Sequence, residues 1–153
     1  MKAKELMIND WVKIDEPDKY AGSYAQIKSL YHYRDGDGAY FDVFIFGEKG
    51  LLTTGVYCDD LRPVPITGKI LKKNGFTDGK YRHFNGNVWK LEADGFREIH
   101  LTEKVGQAVL WGEKIKPDYP NSVGDKFTIS FIRYVHELQH AMKLIGIDKK
   151  FEL

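Results

Sequence analysis

The chain of 153 residues lacks the features that mark secreted and membrane-spanning proteins. It has one cysteine, Cys58, so no disulfide can form within the chain and no cysteine-based zinc site can be built. No stretch approaches the roughly 18 consecutive apolar residues that a membrane-spanning helix needs. The first ten residues also lack the apolar core of a secretory signal. We therefore expect a cytoplasmic protein that has no membrane partner.

A strong net charge is missing as well, since the formal charge is +1. Such a balance gives no overall attraction to nucleic acid or to an anionic membrane. The charge is distributed unevenly along the chain. Residues 1–65 hold 8 Lys or Arg and 11 Asp or Glu, a net −3, and residues 66–153 hold 15 and 11, a net +4. The change of sign near residue 66 is one indication of two domains.

Aromatic residues, at 14% of the chain, are abundant, and they fit the half-buried surface of a β-sheet. In the first half they lie in short segments separated by turn formers at residues 35–38 and 47–50. Pro63 and Pro65 cannot donate hydrogen bonds to a sheet, so the strand system should end there. These patterns predict an SH3-like small β-barrel domain over residues 1–65.

The helix and strand signals of the second half predict an α+β domain over residues 66–153. The whole chain is therefore placed in the α+β class. Thr67 is a typical N-cap for a short helix over 68–74, which Gly75 should end. A four-stranded β meander follows, with a tight hairpin at Asn85 and Gly86. A C-terminal helix is expected over 128–145, ended by Gly146.

The predicted last helix contains HELQH, the HExxH spacing of zinc peptidases. In this interpretation His136 and His140, one turn apart, bind zinc, and Glu137 is the general base that activates a metal-bound water. A third ligand must come from upstream, and the candidates are His100, at the end of a meander strand, and His83. The segment thus gives one alternative prediction, a minimal zinc-dependent hydrolase or peptidase.

The helical wheel favours a structural role for the same segment. At about 100° per residue, one apolar stripe forms the core face, and both histidines fall on the opposite side. The thirteen residues after His140 contain no further histidine, so the extended zinc-peptidase pattern is absent. The first prediction is therefore that the chain has no catalytic residue, metal or cofactor. The predicted stripe consists of Phe131, Val135, Leu138, Met142 and Ile145.

Two groups of residues form a candidate partner surface. Tyr31, Tyr33 and Tyr57 belong to the aromatic concentration of the first half, where aromatic platforms on small barrels bind peptides or single-stranded nucleic acid. Lys69, Lys72 and Lys73 share the exposed side of the short helix and form a mild basic patch. The alternatives are that the tyrosines belong to the barrel's core or edge and that the lysines are simply solvated.

The chain also resembles a known group of proteins at three places. These are MKAKELMINDWV (1–12), LRPVPIT with ILKKNGF (61–67 and 70–76), and RYVHELQHAMKLIG (133–146). The group consists of short proteins without an established activity from Bacteroides-type gut bacteria and their phages and mobile elements. The resemblance implies a final helix in which VHQLQN can replace VHELQH, which lacks both the base and the second ligand. It thereby implies structural or docking roles for Tyr134, His136 and Gln139.

Together these observations predict a non-enzymatic binding or accessory module in a phage-like or mobile-element setting. It would act through a protein or nucleic-acid partner, which the sequence does not identify, and the sequence leaves the oligomeric state open.

Overall fold

The structure, a computed structural model, describes residues 6–15, 20–32, 39–47, 50–79, 86–104, 107–118 and 123–153. Within these ranges it is an α+β protein with two five-stranded antiparallel sheets and few helices, which confirms the predicted class. The chain divides into two compact units. The first comprises Met1–Pro65 with Tyr134–His136, and the second comprises Ile66–Arg133 with Glu137–Leu153.

The first unit contains a curled sheet whose strands run in the order β4-β3-β2-β1-β5. Strand β1 pairs antiparallel with both β2 and β5, and β3 pairs with both β2 and β4. A short 3-10 turn, Cys58–Asp60, connects β4 to β5. The strands are β1 (Trp11–Ile14), β2 (Tyr24–His32), β3 (Ala39–Gly47), β4 (Gly50–Tyr57) and β5 (Leu61–Pro63).

Alternate positions of these strands build the first unit's core, because successive residues of a strand face opposite sides. In β3, for example, Phe41, Val43 and Ile45 are buried, whereas Asp42 and Phe44 between them are partly exposed. Cys58 is buried in this core as well. The core residues are Leu6, Val12, Ile14, Ala25, Ile27, Phe41, Val43, Ile45, Val56, Cys58 and Leu61.

The second unit begins with helix α1, Gly68–Lys73, as the sequence predicts. The Thr67 hydroxyl oxygen accepts a hydrogen bond from the backbone N–H of Ile70 at 3.3 Å, which satisfies one of the free donors at the helix start. Gly75 follows with φ +77, a left-handed conformation that glycine adopts without strain. The predicted cap and stop of this helix are therefore confirmed.

The sheet of the second unit runs in the order β10-β9-β8-β7-β6. It has five strands where the sequence predicted four. The predicted strand 80–84 and most of its hairpin lie outside the described residues. The strands are β6 (Thr77–Gly79), β7 (Val88–Leu91), β8 (Phe96–Lys104), β9 (Gln107–Lys114) and β10 (Asp125–Ile132).

The start of the predicted last helix was wrong, because residues 125–132 form β10 and not helix. Helix α2 spans only Val135–Leu144. Phe131, placed in the core stripe by the sequence, lies at a β-bulge with φ 67 and is 69% exposed. The helical wheel misplaced Phe131 because it applied the period of a helix to residues that form a strand, where side chains alternate with a period of two residues.

Helix α2 ends as predicted. Gly146 has φ +91, its N–H donates to the carbonyl of Lys143, and the N–H of Ile147 donates to the carbonyl of Met142. These two bonds form a Schellman motif, which satisfies carbonyls that the helix leaves free. Neither α1 nor α2 has the length and apolar content needed to cross a lipid bilayer.

Candidate functional site

The HELQH segment lies in the first two turns of α2, and its Glu137 has a structural task there. One carboxylate oxygen of Glu137 accepts the backbone N–H of Arg133 at 2.6 Å. A glutamate at the third helical position often reaches back to the chain before the helix in this way, as in the capping box. The carboxylate predicted as a general base therefore stabilises the helix start.

His136 is buried, with 4% of its surface exposed, although the helical wheel places it opposite the apolar stripe. Its ring stacks nearly parallel to Tyr134, with centroids 5.9 Å apart and planes at 7°. Tyr134 also forms an isolated antiparallel β-bridge with Pro65, and the N–H of Val135 donates to the carbonyl of Val64. These contacts join the start of α2 to residues 64 and 65. The first turn of α2 is therefore more buried than the helical wheel predicts.

His100, the candidate third zinc ligand, stacks on Trp111 across β8 and β9, with ring centroids 4.4 Å apart. Its Nε2 atom lies 3.3 Å from a carboxylate oxygen of Glu98. Among the residues that the structure describes, no group of three or more His, Cys, Asp or Glu side chains could hold a metal ion. The structure thus does not bring His136, His140 and His100 together into such a group. His83 lies outside the described residues.

Replacing Glu137 with Ala is expected to lower the free energy of unfolding by about 0.5–2 kcal/mol, since the helix loses its N-terminal acceptor. Chemical denaturation followed by circular dichroism measures this change. The exposed Lys143 of the same helix, replaced with Ala, serves as the control and should change stability by about 0.5 kcal/mol or less.

The same proteins, purified without a histidine tag, also test the zinc hypothesis. We expect no stoichiometric zinc in the wild type or in Glu137→Ala. Near-stoichiometric zinc that disappears in His140→Ala would contradict the structural assignment of Glu137.

The basic patch on α1 is partly neutralised by contacts within the second unit. The Lys72 ammonium lies 3.0 Å from an Asp78 carboxylate oxygen and 5.7 Å from the centroid of the Trp89 ring. The Lys73 ammonium donates to the main-chain oxygen of Leu153 at 2.5 Å. Lys69 is exposed. The three lysines therefore share a helix, but two of them already have partners, which weakens the patch as an anion-binding surface.

Tyr31 and Tyr57 of the predicted partner surface are brought into one row by strand register. Tyr31 of β2 is paired with Tyr40 of β3, and Tyr40 is paired with Tyr57 of β4. We call these three positions the tyrosine row. Tyr57 is 54% exposed. Tyr33 lies outside the described residues, and Tyr40 was missing from the predicted surface because only strand register reveals its place.

The tyrosine row lies on the face of the first sheet that points away from the core. Phe41 and Val56, next to the row in β3 and β4, are buried, so positions 40 and 57 belong to the other face by alternation. The Ser29 hydroxyl donates to the Asp42 carboxylate at 3.0 Å, one alternation further along this face.

The tyrosine row is bordered by carboxylates. Asp42 lies two residues from Tyr40 in β3, and Asp59 and Asp60 follow Tyr57 and Cys58 in the 3-10 turn. The nearby Arg62 is already engaged, because its guanidinium forms an ion pair with Asp15 at 3.0 Å. The tyrosine row therefore lies near three carboxylates, and the Lys28 ammonium lies 4.9 Å from the centroid of the Phe44 ring in β3. No family model, curated protein or solved structure matches the chain.

Proposed function

We propose that the protein is a non-enzymatic binding module whose first unit, an SH3-like small barrel, binds an extended basic segment of a partner protein. The observation that carries the proposal is the tyrosine row across β2, β3 and β4. The strand order, with β1 between β2 and β5 and a 3-10 turn before β5, supports the SH3-like assignment.

The chemistry of the row suits an extended peptide. Aromatic grooves on small barrels bind proline-containing segments, because such segments are already extended and lose little entropy on binding. Tyrosine faces also attract arginine and lysine through cation–π contacts. Asp42, Asp59 and Asp60 add the negative charge that a basic segment needs.

The charge favours protein over nucleic acid as the partner. Binding of a nucleic-acid strand depends largely on neutralising its phosphates with lysine and arginine. The first 65 residues carry −3, and the carboxylates beside the row would repel phosphates. A cytoplasmic location and a phage-like or mobile-element setting remain part of the proposal, and they are supported by sequence pattern and resemblance alone. Within the part of the chain that the structure describes, no observation favours the zinc hydrolase.

We expect Tyr57→Ala to weaken binding of a fluorescent peptide of alternating proline and arginine by about twofold to thirtyfold, since a cation–π contact contributes about 0.5–2 kcal/mol. Fluorescence anisotropy with the full chain measures the affinity. Tyr57→Phe should bind nearly as well as the wild type, because the aromatic face is retained.

Tyr24→Ala is the matched control, because Tyr24 is a 45% exposed tyrosine of β2 outside the tyrosine row. It should bind like the wild type. A peptide with glutamate in place of arginine should bind more weakly. Failure to bind the basic peptide, equal losses in Tyr24→Ala and Tyr57→Ala, or tighter binding of a single-stranded oligothymidine would each overturn the proposal.

A further inference from the structure

Residues 147–153 of the second unit, which we call the tail, follow helix α2 and form neither helix nor strand. Phe151 of the tail is 2% exposed, whereas Lys150 and Glu152 on either side of it are exposed. In an extended segment successive side chains point in opposite directions. The tail therefore inserts one aromatic side chain into the second unit and keeps its two neighbours at the surface.

The side chain of Asn74, at the end of helix α1, holds the main chain of the tail at Glu152. Its Oδ1 atom accepts the N–H of Glu152 at 2.9 Å, and its Nδ2 atom donates to the carbonyl oxygen of Glu152 at 2.7 Å. A second bond from Nδ2, to the carbonyl oxygen of Ile70 at 2.9 Å, fixes the amide on α1. One amide thus binds both main-chain groups of a tail residue, as a residue of a neighbouring strand would.

These contacts separate the main chain of the tail from its side chains. Asn74 is 3% exposed, and a buried amide is costly unless it is hydrogen-bonded, so Asn74 favours a bound peptide main chain. The Lys73 ammonium also contacts main chain, since it donates to the main-chain oxygen of Leu153. Asn74 and Lys73 therefore accept any residue type at the positions that they hold. Selection by side chain falls on the buried position of Phe151.

We propose that Asn74, Lys73 and the cavity that holds Phe151 form a peptide-binding site, which the chain's own tail occupies. We call it the tail site. Its further ligand is an extended segment of a partner protein with an aromatic residue in the place of Phe151. Main-chain contacts of this kind transfer from one chain to another, because every peptide carries the same N–H and carbonyl groups.

The tail can leave this site without loss of any strand or helix of the second unit, because it belongs to none of them. Bound in the same molecule, it competes with a partner at a high effective concentration. The tail site lies in the second unit, so the inference does not depend on the tyrosine row.

The full chain with Phe151→Ala tests the proposal, because it removes the ring from the site and keeps every other residue. The probe is a fluorescent, amidated peptide with the tail sequence DKKFEL (148–153). By fluorescence anisotropy it should bind Phe151→Ala about tenfold or more tightly than the wild type, whose own tail competes. The peptide DKKAEL should bind Phe151→Ala about tenfold or more weakly than DKKFEL. The peptide DKKFAL should bind within about twofold of DKKFEL, because the side chain of Glu152 is exposed.

Phe131→Ala is the matched control, since Phe131 is 69% exposed, and it should bind DKKFEL as weakly as the wild type does. Circular dichroism checks that each variant is folded. If Phe151→Ala is unfolded, Phe151→Leu, which loses less apolar surface, takes its place with the same expected ranking of peptides.

Equal binding of DKKFEL and DKKAEL, no binding of either, or equal affinity of DKKFEL for the wild type and the Phe151 variant would each overturn the proposal. Sedimentation velocity adds one more test. A wild-type dimer that is lost in the Phe151 variant would mean that two copies exchange their tails, and it would overturn the assignment to a partner protein.

Discussion

Leu138→Ala is expected to lower the free energy of unfolding by about 2–5 kcal/mol, the usual range for truncating a fully buried leucine. Leu138 has no exposed surface and lies in the second turn of α2. Its replacement removes apolar contacts and leaves a cavity that the surrounding residues fill only in part. Urea denaturation followed by circular dichroism and tryptophan fluorescence gives the change.

Phe131→Ala is the informative partner of this experiment, because the sequence places both residues in one apolar stripe. In the structure Phe131 is exposed at the bulge of β10, so its truncation should change stability by only about 0.5 kcal/mol. Equal losses for the two variants would mean that residues 128–134 are helical after all.

Gly112→Ala is the second substitution with a large expected effect, a loss of about 3 kcal/mol or more. Gly112 lies in β9 opposite Ile99. A Cβ atom there would overlap the carbonyl oxygen of Glu98 and lie 2.9 Å from Cζ of Phe127. The obstacle is largely backbone, which cannot move without breaking the pairing of β8 with β9.

Gly95→Ala separates steric overlap from conformational strain. Gly95 has φ +80 but no atom within 4 Å of an added Cβ, so only the left-handed conformation is penalised, by about 1–2 kcal/mol. Thermal unfolding of both variants should rank Gly112→Ala as clearly less stable. If Gly95→Ala is equally damaging, the close approach at Gly112 does not limit stability.

The close approach of the Glu98 carbonyl to Gly112 is a constraint that the sequence alone does not reveal. The pairing of β8 with β9 shifts register between Phe96 and Glu98, in the same stretch that brings the Glu98 carbonyl against Gly112. Nothing in the sequence around Gly112 distinguishes it from a glycine that merely weakens a strand, because the clash involves a residue fourteen positions away.

The elements that the sequence predicted correctly are those whose causes are local. The cap at Thr67, the stops at Gly75 and Gly146, and the α+β class all follow from residue types within a few positions of each other. The errors concern β10 and the start of α2. There the apolar residues satisfied a helical spacing, while pairing with β9 selected a strand.

The same difference between local and tertiary causes applies to the candidate site. Sequence alone identified an aromatic, acidic first half and drew attention to Tyr31, Tyr57 and the HELQH segment. Only the tertiary structure decided that Tyr40 joins Tyr31 and Tyr57 in one row, since register depends on how three strands pair. It also assigned the Glu137 carboxylate to the start of α2. Local motifs depend on residues that are neighbours in the sequence, and composition needs no structure at all. Register, burial and the partner of a side chain depend on residues that folding brings together.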